Sequence, residues 1–429
     1  MKFSKHSGFP ATAVLRRGNT SGSSATGVRR RGNFGQLALV ALIGVVVASL
    51  LSACQLVTID YIYVAGSNSG DIQVFAVDSQ SGAIRFAAGT DKTPFQSGGT
   101  APVAMTASTD EANLYVANAD NNTVVHFAIS SDGKLSSKDT VTLAEPPTAL
   151  AINDAGTFLY VVSGTTTATL TEYTVTSGAI GSVAAQQSLV IPGFSGDTTI
   201  PTGVAVLPNN NAVFATVYDQ SSYNPGGTTT SSAHPGWVFS FGTGSDGALS
   251  ADAGSPFQAG VKPSGLAIDP TSRFMYVTDY ASNQLIGYGI THDTALSFLI
   301  SGPYKTGAEP SAVVVDPRGK YIYVSNSLDS TVSAYAIDLA TGIPSAVLNV
   351  TGSSVNASDT QPAAIAVEPA LGRYVYTANF LGNSVSGFRL NPNTGALEQT
   401  QATPYPSTSK PRSIVIIPHG NHSIQQTTP

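Results

Sequence analysis

One phrase recurs seven times in this chain, and it leaves few architectures open. An apolar stretch opened by proline leads through a turn to a Tyr-Val type strand, then to a second strand carrying an aromatic residue, then to a hairpin. The proline stretches read PVAMTA from Pro102, PTALAI from Pro147, PTGVAV from Pro201, PSGLAI from Pro263, PSAVVV from Pro310, PAAIAV from Pro362 and PRSIVI from Pro411. The Tyr-Val members read LYVAN from Leu114, LYVVS from Leu159, VFATV from Val213, MYVTD from Met275, IYVSN from Ile322 and VYTAN from Val375. The remaining copy, IYVAG from Ile62, stands at the front of the series with no proline stretch before it.

Units of roughly 45 to 60 residues that hold several short alternating strands predict propeller blades, not helical solenoid repeats. We label the proline strand A, the Tyr-Val strand B, the second aromatic strand C and the outer strand D. The B tyrosine and the C aromatic stand twelve apart in five copies, for example Tyr63 to Phe75 and Tyr376 to Phe388. An even spacing across a hairpin keeps both rings available to one packed face. The C to D links DSQSGAI, SSDGKL, TSGAI, GSDGAL, DLATGI and NPNTGAL each place glycine shortly before an apolar residue, as tight hairpins require. The chain enters on strand B of one blade and leaves on a lone strand A, so residues 411–417 are expected to complete the first blade and remove the open sheet edges. The fold class is therefore all-β, a seven-bladed β-propeller of four-stranded antiparallel blades. Only 11% of residues are charged and glycine numbers 42, which suits turns and buried strands better than long surface helices.

Residues 1–53 read as an export signal. They carry seven basic residues (Lys2, Lys5, Arg16, Arg17, Arg29, Arg30, Arg31) and no acidic one, then an apolar run from Leu37 to Leu51 ending in Leu51-Ser52-Ala53-Cys54. The run is short for a bilayer span. Leu-Ser-Ala-Cys is similar to a bacterial lipobox, and Cys54 is the one cysteine in the chain, so lipidation of Cys54 is expected and an internal disulfide is excluded. Residues 54–60 then form a tether, 61–418 the propeller and 419–429 a flexible tail. The expected location is the bacterial cell envelope, with the bottom face of the propeller towards the membrane and its ligand-bearing top face away from it. Without the leader, 13 basic residues face 26 acidic ones, which argues against a nucleic-acid partner. A monomer is expected.

Phrases such as EPSAVVVDPRGKYIYVSNSLDSTVSAYAI from Glu309 and QPAAIAVEPALGRYVYTANFLGNSVSGFRL from Gln361 resemble the seven-bladed lactonase family with its YVTN-type repeats. The resemblance covers nearly all of residues 61–418. It implies a hydrolase or lactonizing activity of the 6-phosphogluconolactonase kind, with no cofactor and no required metal. It also implies an Arg and a His at the start of one A strand and a Glu after one B strand. Here Pro411-Arg412-Ser413 supplies the arginine alone, and Asn118-Ala119, Asp279-Tyr280, Asn326-Ser327 and Asn379-Phe380 follow the B strands where Asn-Glu would stand.

Site residues are sought on the top face, in the B to C and D to A loops. From Phe214 to Phe241 the aromatic spacing is 27, so about fifteen residues are inserted between strands B and C of the fourth repeat. That insertion carries Tyr218, Asp219, Tyr223, His234 and the one tryptophan, Trp237, residues suited to stacking on a sugar ring and to proton transfer. His126, His292 and His419 fall at structural positions. The D to A loops bring Glu145, Glu309, Lys262 and Arg412, the last suited to forking a carboxylate or phosphate, and Asp279 ends a B strand. The expected catalytic candidates are His234, Arg412 and Glu309. The expected ligand-binding residues are Tyr218, Asp219, Tyr223, Trp237, Lys262, Asp279 and Glu145. The glycines at 242, 244 and 247 spell GxGxxG but precede no helix, and Asn118–Asn122 reads as a turn, not a metal loop. The two readings that follow are a lipid-anchored propeller binding a small polar ligand or an envelope protein partner, and a lactone hydrolase.

Overall fold

The computed structural model describes residues 57–419, apart from 88, 91, 92, 194, 195, 197 and 224–235. These residues build seven antiparallel sheets, each in the order A-B-C-D. The second blade shows the plan: A is Pro102–Ala107, B is Asn113–Asn118, C is Thr123–Ile129 and D is Leu135–Thr142. Each A strand packs against the A strands of both neighbouring blades, and the contact between Pro362–Val367 and Pro411–Pro418, continued to Pro102–Ala107, shuts the ring. The closure expected from the orphaned termini is formed: Pro411–Pro418 pairs antiparallel with Thr58–Gly66, with Ile414 opposite Val64 and Ile417 opposite Tyr61.

Two features differ from the repeat as read in sequence. Strand B of the first blade begins at Thr58, three residues before Tyr61, because Asp60 pairs with Pro418 on one side and Val77 on the other. Strand D is one ribbon only in blades 2 and 3. In the other five it is two pieces, the second pairing with the top end of strand C. Four of those second pieces open with a proline followed by an aromatic residue: Pro94-Phe95, Pro256-Phe257, Pro303-Tyr304 and Pro404-Tyr405. Proline has no N–H to give the ladder, so the strand breaks before it and restarts on the ring that follows.

The reason for the Tyr-Val signature lies between the blades. In five of them the B-strand tyrosine hydroxyl crosses to the next blade and donates to the carbonyl of the C to D hairpin glycine. These bonds are Tyr63 to Gly133 (2.9 Å), Tyr115 to Gly178 (2.8 Å), Tyr276 to Gly342 (2.7 Å), Tyr323 to Gly395 (2.9 Å) and Tyr376 to Gly82 (2.8 Å). The last spans the seam between blades 7 and 1, so the closure carries the same fastening as the internal seams. The hairpin glycines have positive φ, and their faces lie flat on the residue two before that tyrosine: a Cβ on Gly82 would meet the Tyr374 ring at 2.2 Å, and one on Gly342 the Phe274 ring at 2.3 Å.

Each hydrophobic cluster is shared by adjacent sheets. At the closure Ile62, Val64 and Phe75 of blade 1 pack with Tyr374, Tyr376 and Val385 of blade 7. Burying a side chain of this size contributes about 1.5–3 kcal/mol, so each seam is a core in its own right.

Blade 4 interrupts the pattern on both sides. Phe214 has no hydroxyl, and Ser240 on the neighbouring strand donates to the Thr294 carbonyl of blade 5 instead, at 2.7 Å. Opposite Tyr160 on strand C of blade 3 stands Glu172, wholly buried with neither carboxyl oxygen hydrogen-bonded to a carbonyl or amide. Burial pushes the Glu172 carboxyl up to about 7, Tyr160 pulling it down and Asp246 of blade 4 pushing it further up.

Candidate functional site at the channel mouth

In blades 2, 5 and 6 strand B ends in a buried polar residue that ties down the loop entering the A strand of the same blade. Asn118 Nδ2 donates to the Ser97 carbonyl, Gly307 N donates to Asn326 Oδ1, and Asp279 accepts from Val261 N and Lys262 N at 3.0 and 2.9 Å. These bonds fix the residue before each A-strand proline over the channel. Ala101, Glu309, Gln361 and Lys410 at that position all have φ near +50 to +57°. Asp279 is thus fully buried and faces backbone amides, not the channel.

Three rings of equivalent positions then line the mouth. After the proline stand Val103, Thr148, Thr202, Ser264, Ser311, Ala363 and, alone as a charged residue, Arg412. Before it stand Ala101, Pro146, Ile200, Lys262, Glu309, Gln361 and Lys410. Next after strand B, or level with that point in the longer strand of blade 4, stand Ser67, Ala119, Gly164, Tyr218, Tyr280, Ser327 and Phe380. A cavity of about 560 Å³ opens between them, walled by small and hydroxylated residues with Lys262, Tyr280, Phe380 and Arg412.

Three cations of the mouth lie on aromatic faces. Lys262 Nζ is 3.9 Å from the Tyr223 ring centre, 4.3 Å from Tyr280 and 5.5 Å from Tyr218. The rings meet edge to face, Tyr218 on Tyr223 and Tyr223 on Tyr280. The Arg412 guanidinium is 5.2 Å from the Phe380 ring centre, and Lys410 Nζ is 5.6 Å from the same ring. Burial lowers the Lys262 ammonium from its ordinary range, and the nearby Glu309 carboxylate acts against that. Tyr280 donates its hydroxyl to Glu309 Oε2 at 2.6 Å, and burial and Glu309 together hold that phenol protonated.

The residues picked out in sequence fall into distinct places. Arg412 and Lys262 share the cavity, with Tyr218 and Tyr223 behind Lys262. Glu309 stands behind Tyr280 and does not line the cavity. Glu145 is exposed at the rim, accepting from the Thr165 hydroxyl at 3.0 Å. Asp219 is buried and caps the short turn Gln220–Ser222. Trp237 opens strand C of blade 4 and packs into the core between blades 3 and 4. His234 and Cys54 lie outside the described residues. His126 is buried between Asp139 (2.7 Å) and Asn113 (2.8 Å), and His419 packs edge-on against Tyr61.

Tyr280 and Phe380 were not singled out as site residues, although a ring where equivalent blades carry Ala119, Gly164 or Ser327 was a readable signal. Among the described residues lining the cavity, none is a carboxylate or a histidine. The arrangement therefore offers fixed positive charge and hydroxyls, suited to holding an anion. A second cavity of about 480 Å³ on the bottom face, between blades 2 and 3, is lined by Asp110, Asn113 and Tyr115. Its polar groups are bonded to one another and to the protein: Asn113 Nδ2 to Asp110, Asn113 Oδ1 to His126 and Tyr115 to Gly178.

The fold is that of solved lactonase-type propellers. A putative 6-phosphogluconolactonase from Bacteroides fragilis superposes with a TM-score of 0.67 at 17% identity, covering 84% of this chain and 98% of that one. The periplasmic gluconolactonase of Pseudomonas aeruginosa gives 0.68 at 18% identity, covering 85% and 100%. A putative 6-phosphogluconolactonase from Bacteroides uniformis gives 0.67 at 16% identity, covering 84% and 100%. No curated protein matches the sequence. The family profile described as lactonase, 7-bladed beta-propeller matches residues 58–195 and 133–425, which together span every blade described above, and the chain belongs to that family.

Proposed function

We propose that this protein is an exported, lipid-anchored propeller that binds a small polar anion at the top of its channel, without the full catalytic set of its family. The observation that carries this reading is the presence of Arg412 and Lys262 in one cavity whose other described walls carry no charge. A guanidinium stacked on Phe380 keeps its N–H edge free to fork a carboxylate or phosphate. On a surface rich in acidic residues, such a cationic mouth also concentrates anions locally. Anchoring rests on the Leu-Ser-Ala-Cys sequence: three residues separate Cys54 from strand B at Thr58, a reach of about 14 Å, which would hold the bottom face near the membrane.

The second reading is lactone hydrolysis, favoured by family membership and by the likeness to the two putative 6-phosphogluconolactonases and the periplasmic gluconolactonase. Titration calorimetry of gluconate against the full chain, with a lactone panel run in parallel, separates the two. Binding that Arg412→Ala abolishes, without turnover of any lactone, supports the first reading. Turnover that falls with Arg412→Ala or His234→Ala supports the second. A protein that takes up neither acid nor lactone refutes both.

A further inference from the structure

The sevenfold equivalence that makes this protein legible also fixes where the two cations of the cavity wall stand relative to each other. Lys262 leads into the A strand of blade 5, and Arg412 lies on the A strand of blade 1. The A strands form one closed ring, so the two are three steps apart out of seven, as far round the channel as a seven-membered ring allows. Both line the same cavity.

Aromatic residues mark the same two places. Of the seven positions just past strand B, three carry rings, Tyr218, Tyr280 and Phe380, and each of those rings lies against one of these cations. The other four are Ser67, Ala119, Gly164 and Ser327, which have no cation on them. Ring support immobilises a long side chain without neutralising it, so its charge stays available to a ligand. Among the described residues neither Lys262 nor Arg412 forms an ion pair. Glu309, the one acid between them in the ring of residues before the A-strand prolines, is bonded to the Tyr280 hydroxyl and stands outside the cavity wall. Between the cations the wall offers the hydroxyls of Thr148 and Ser327.

We propose that the mouth is a two-point clamp for a small hydroxylated molecule anionic at both ends, a sugar diacid in class, with Arg412 forking one carboxylate and Lys262 meeting the other. This rests on the proposed anion-binding function and adds a demand for the second charge. A ligand with one acid group engages one side of the ring and leaves the opposite cation solvated. A hydrogen bond between charged groups contributes about 1.5–3 kcal/mol, so the second contact corresponds to roughly 10- to 150-fold in affinity.

The test is calorimetric titration of the full chain with glucarate, gluconate and sorbitol, which share a six-carbon hydroxylated chain and carry two, one and no carboxylates. Glucarate is expected to bind at least tenfold more tightly than gluconate, and gluconate more tightly than sorbitol. Arg412→Gln and Lys262→Met are each expected to reduce glucarate to the affinity of gluconate, with unfolding midpoints unchanged because neither side chain is in the core. If glucarate and gluconate bind equally and Arg412→Gln abolishes both, the clamp is wrong while anion binding at the mouth stands. If none of the three binds, the anion-binding reading fails and the clamp with it.

Discussion

Removing one hydroxyl at the closure seam tests the account of why the repeat has its tyrosine. Tyr376 is fully buried in blade 7, and its hydroxyl donates at 2.8 Å to the carbonyl of Gly82 in blade 1. In Tyr376→Phe the ring and its packing against Ile62 and Val64 remain, and the Gly82 carbonyl is left in a dry seam without that donor. Losing the bond and stranding its acceptor costs about 1–3 kcal/mol. The assay is equilibrium unfolding in guanidinium, where the midpoint falls at unchanged slope if the native surface is intact. Tyr63→Phe removes the equivalent bond between blades 1 and 2 and is expected to cost the same within about 0.5 kcal/mol. Tyr61→Phe, with no hydroxyl bond across a seam, is the control and stays within about 0.5 kcal/mol of the parent. A Tyr376→Phe protein as stable as the control would refute the fastening. A loss confined to Tyr63→Phe would show that the chain ends do not close the ring as described.

Further outcomes follow from the same geometry. Gly342→Ala places a methyl 2.3 Å from the Phe274 ring at a backbone φ of +74°, and is expected to cost about 2 kcal/mol or more in the same unfolding assay. Glu172 has a folded pKa of about 7, above its ordinary value of 4.5, so the folded state holds a proton that the unfolded chain releases. Stability contributed by neutral Glu172 is therefore full below about pH 4.5 and is lost as pH rises to about 7, and Glu172→Gln should flatten that part of the stability profile. Burial raises both the Asp60 and Glu368 carboxyls at the closure, and Glu368 pushes Asp60 up further while its hydrogen bond with Asp60 pulls Glu368 down, so Asp60→Asn should raise stability at alkaline pH relative to the parent. Asp279→Ala frees the Val261 and Lys262 amides and should weaken acid binding at the mouth about tenfold, by calorimetry, although Asp279 lines no part of the cavity.

The parts of the molecule that repeat are the parts that could be read from sequence. A tyrosine that fastens one blade to the next must recur with the glycine it bonds, and so Tyr63 with Gly133 and Tyr323 with Gly395 appear as one pattern across the chain. The split D strand was legible by the same logic in its Pro-aromatic pairs, but two to four residues make too short a ribbon to show an alternation. Edges drifted where pairing partners are distant in sequence: nothing near Thr58 announces that Pro418 will lie beside Asp60.

Site residues obey the opposite rule, since a binding site in a sevenfold ring is a departure from the ring. Arg412 stands where six other blades carry valine, threonine, serine or alanine, and it reaches the cavity. Departure alone does not suffice, however. Asp279 and Asp219 also break the pattern, and both side chains fold back to cap backbone amides, because a strand end leaves N–H groups that a short carboxylate satisfies at no distance. A long cation cannot be retained that way, having no acceptor to offer the freed amides, so it extends over the channel wherever an aromatic neighbour gives it a face to lie on. Lys262 on Tyr280 and Arg412 on Phe380 meet both conditions, and the second is visible in sequence only once the residue after each B strand is compared across all seven blades.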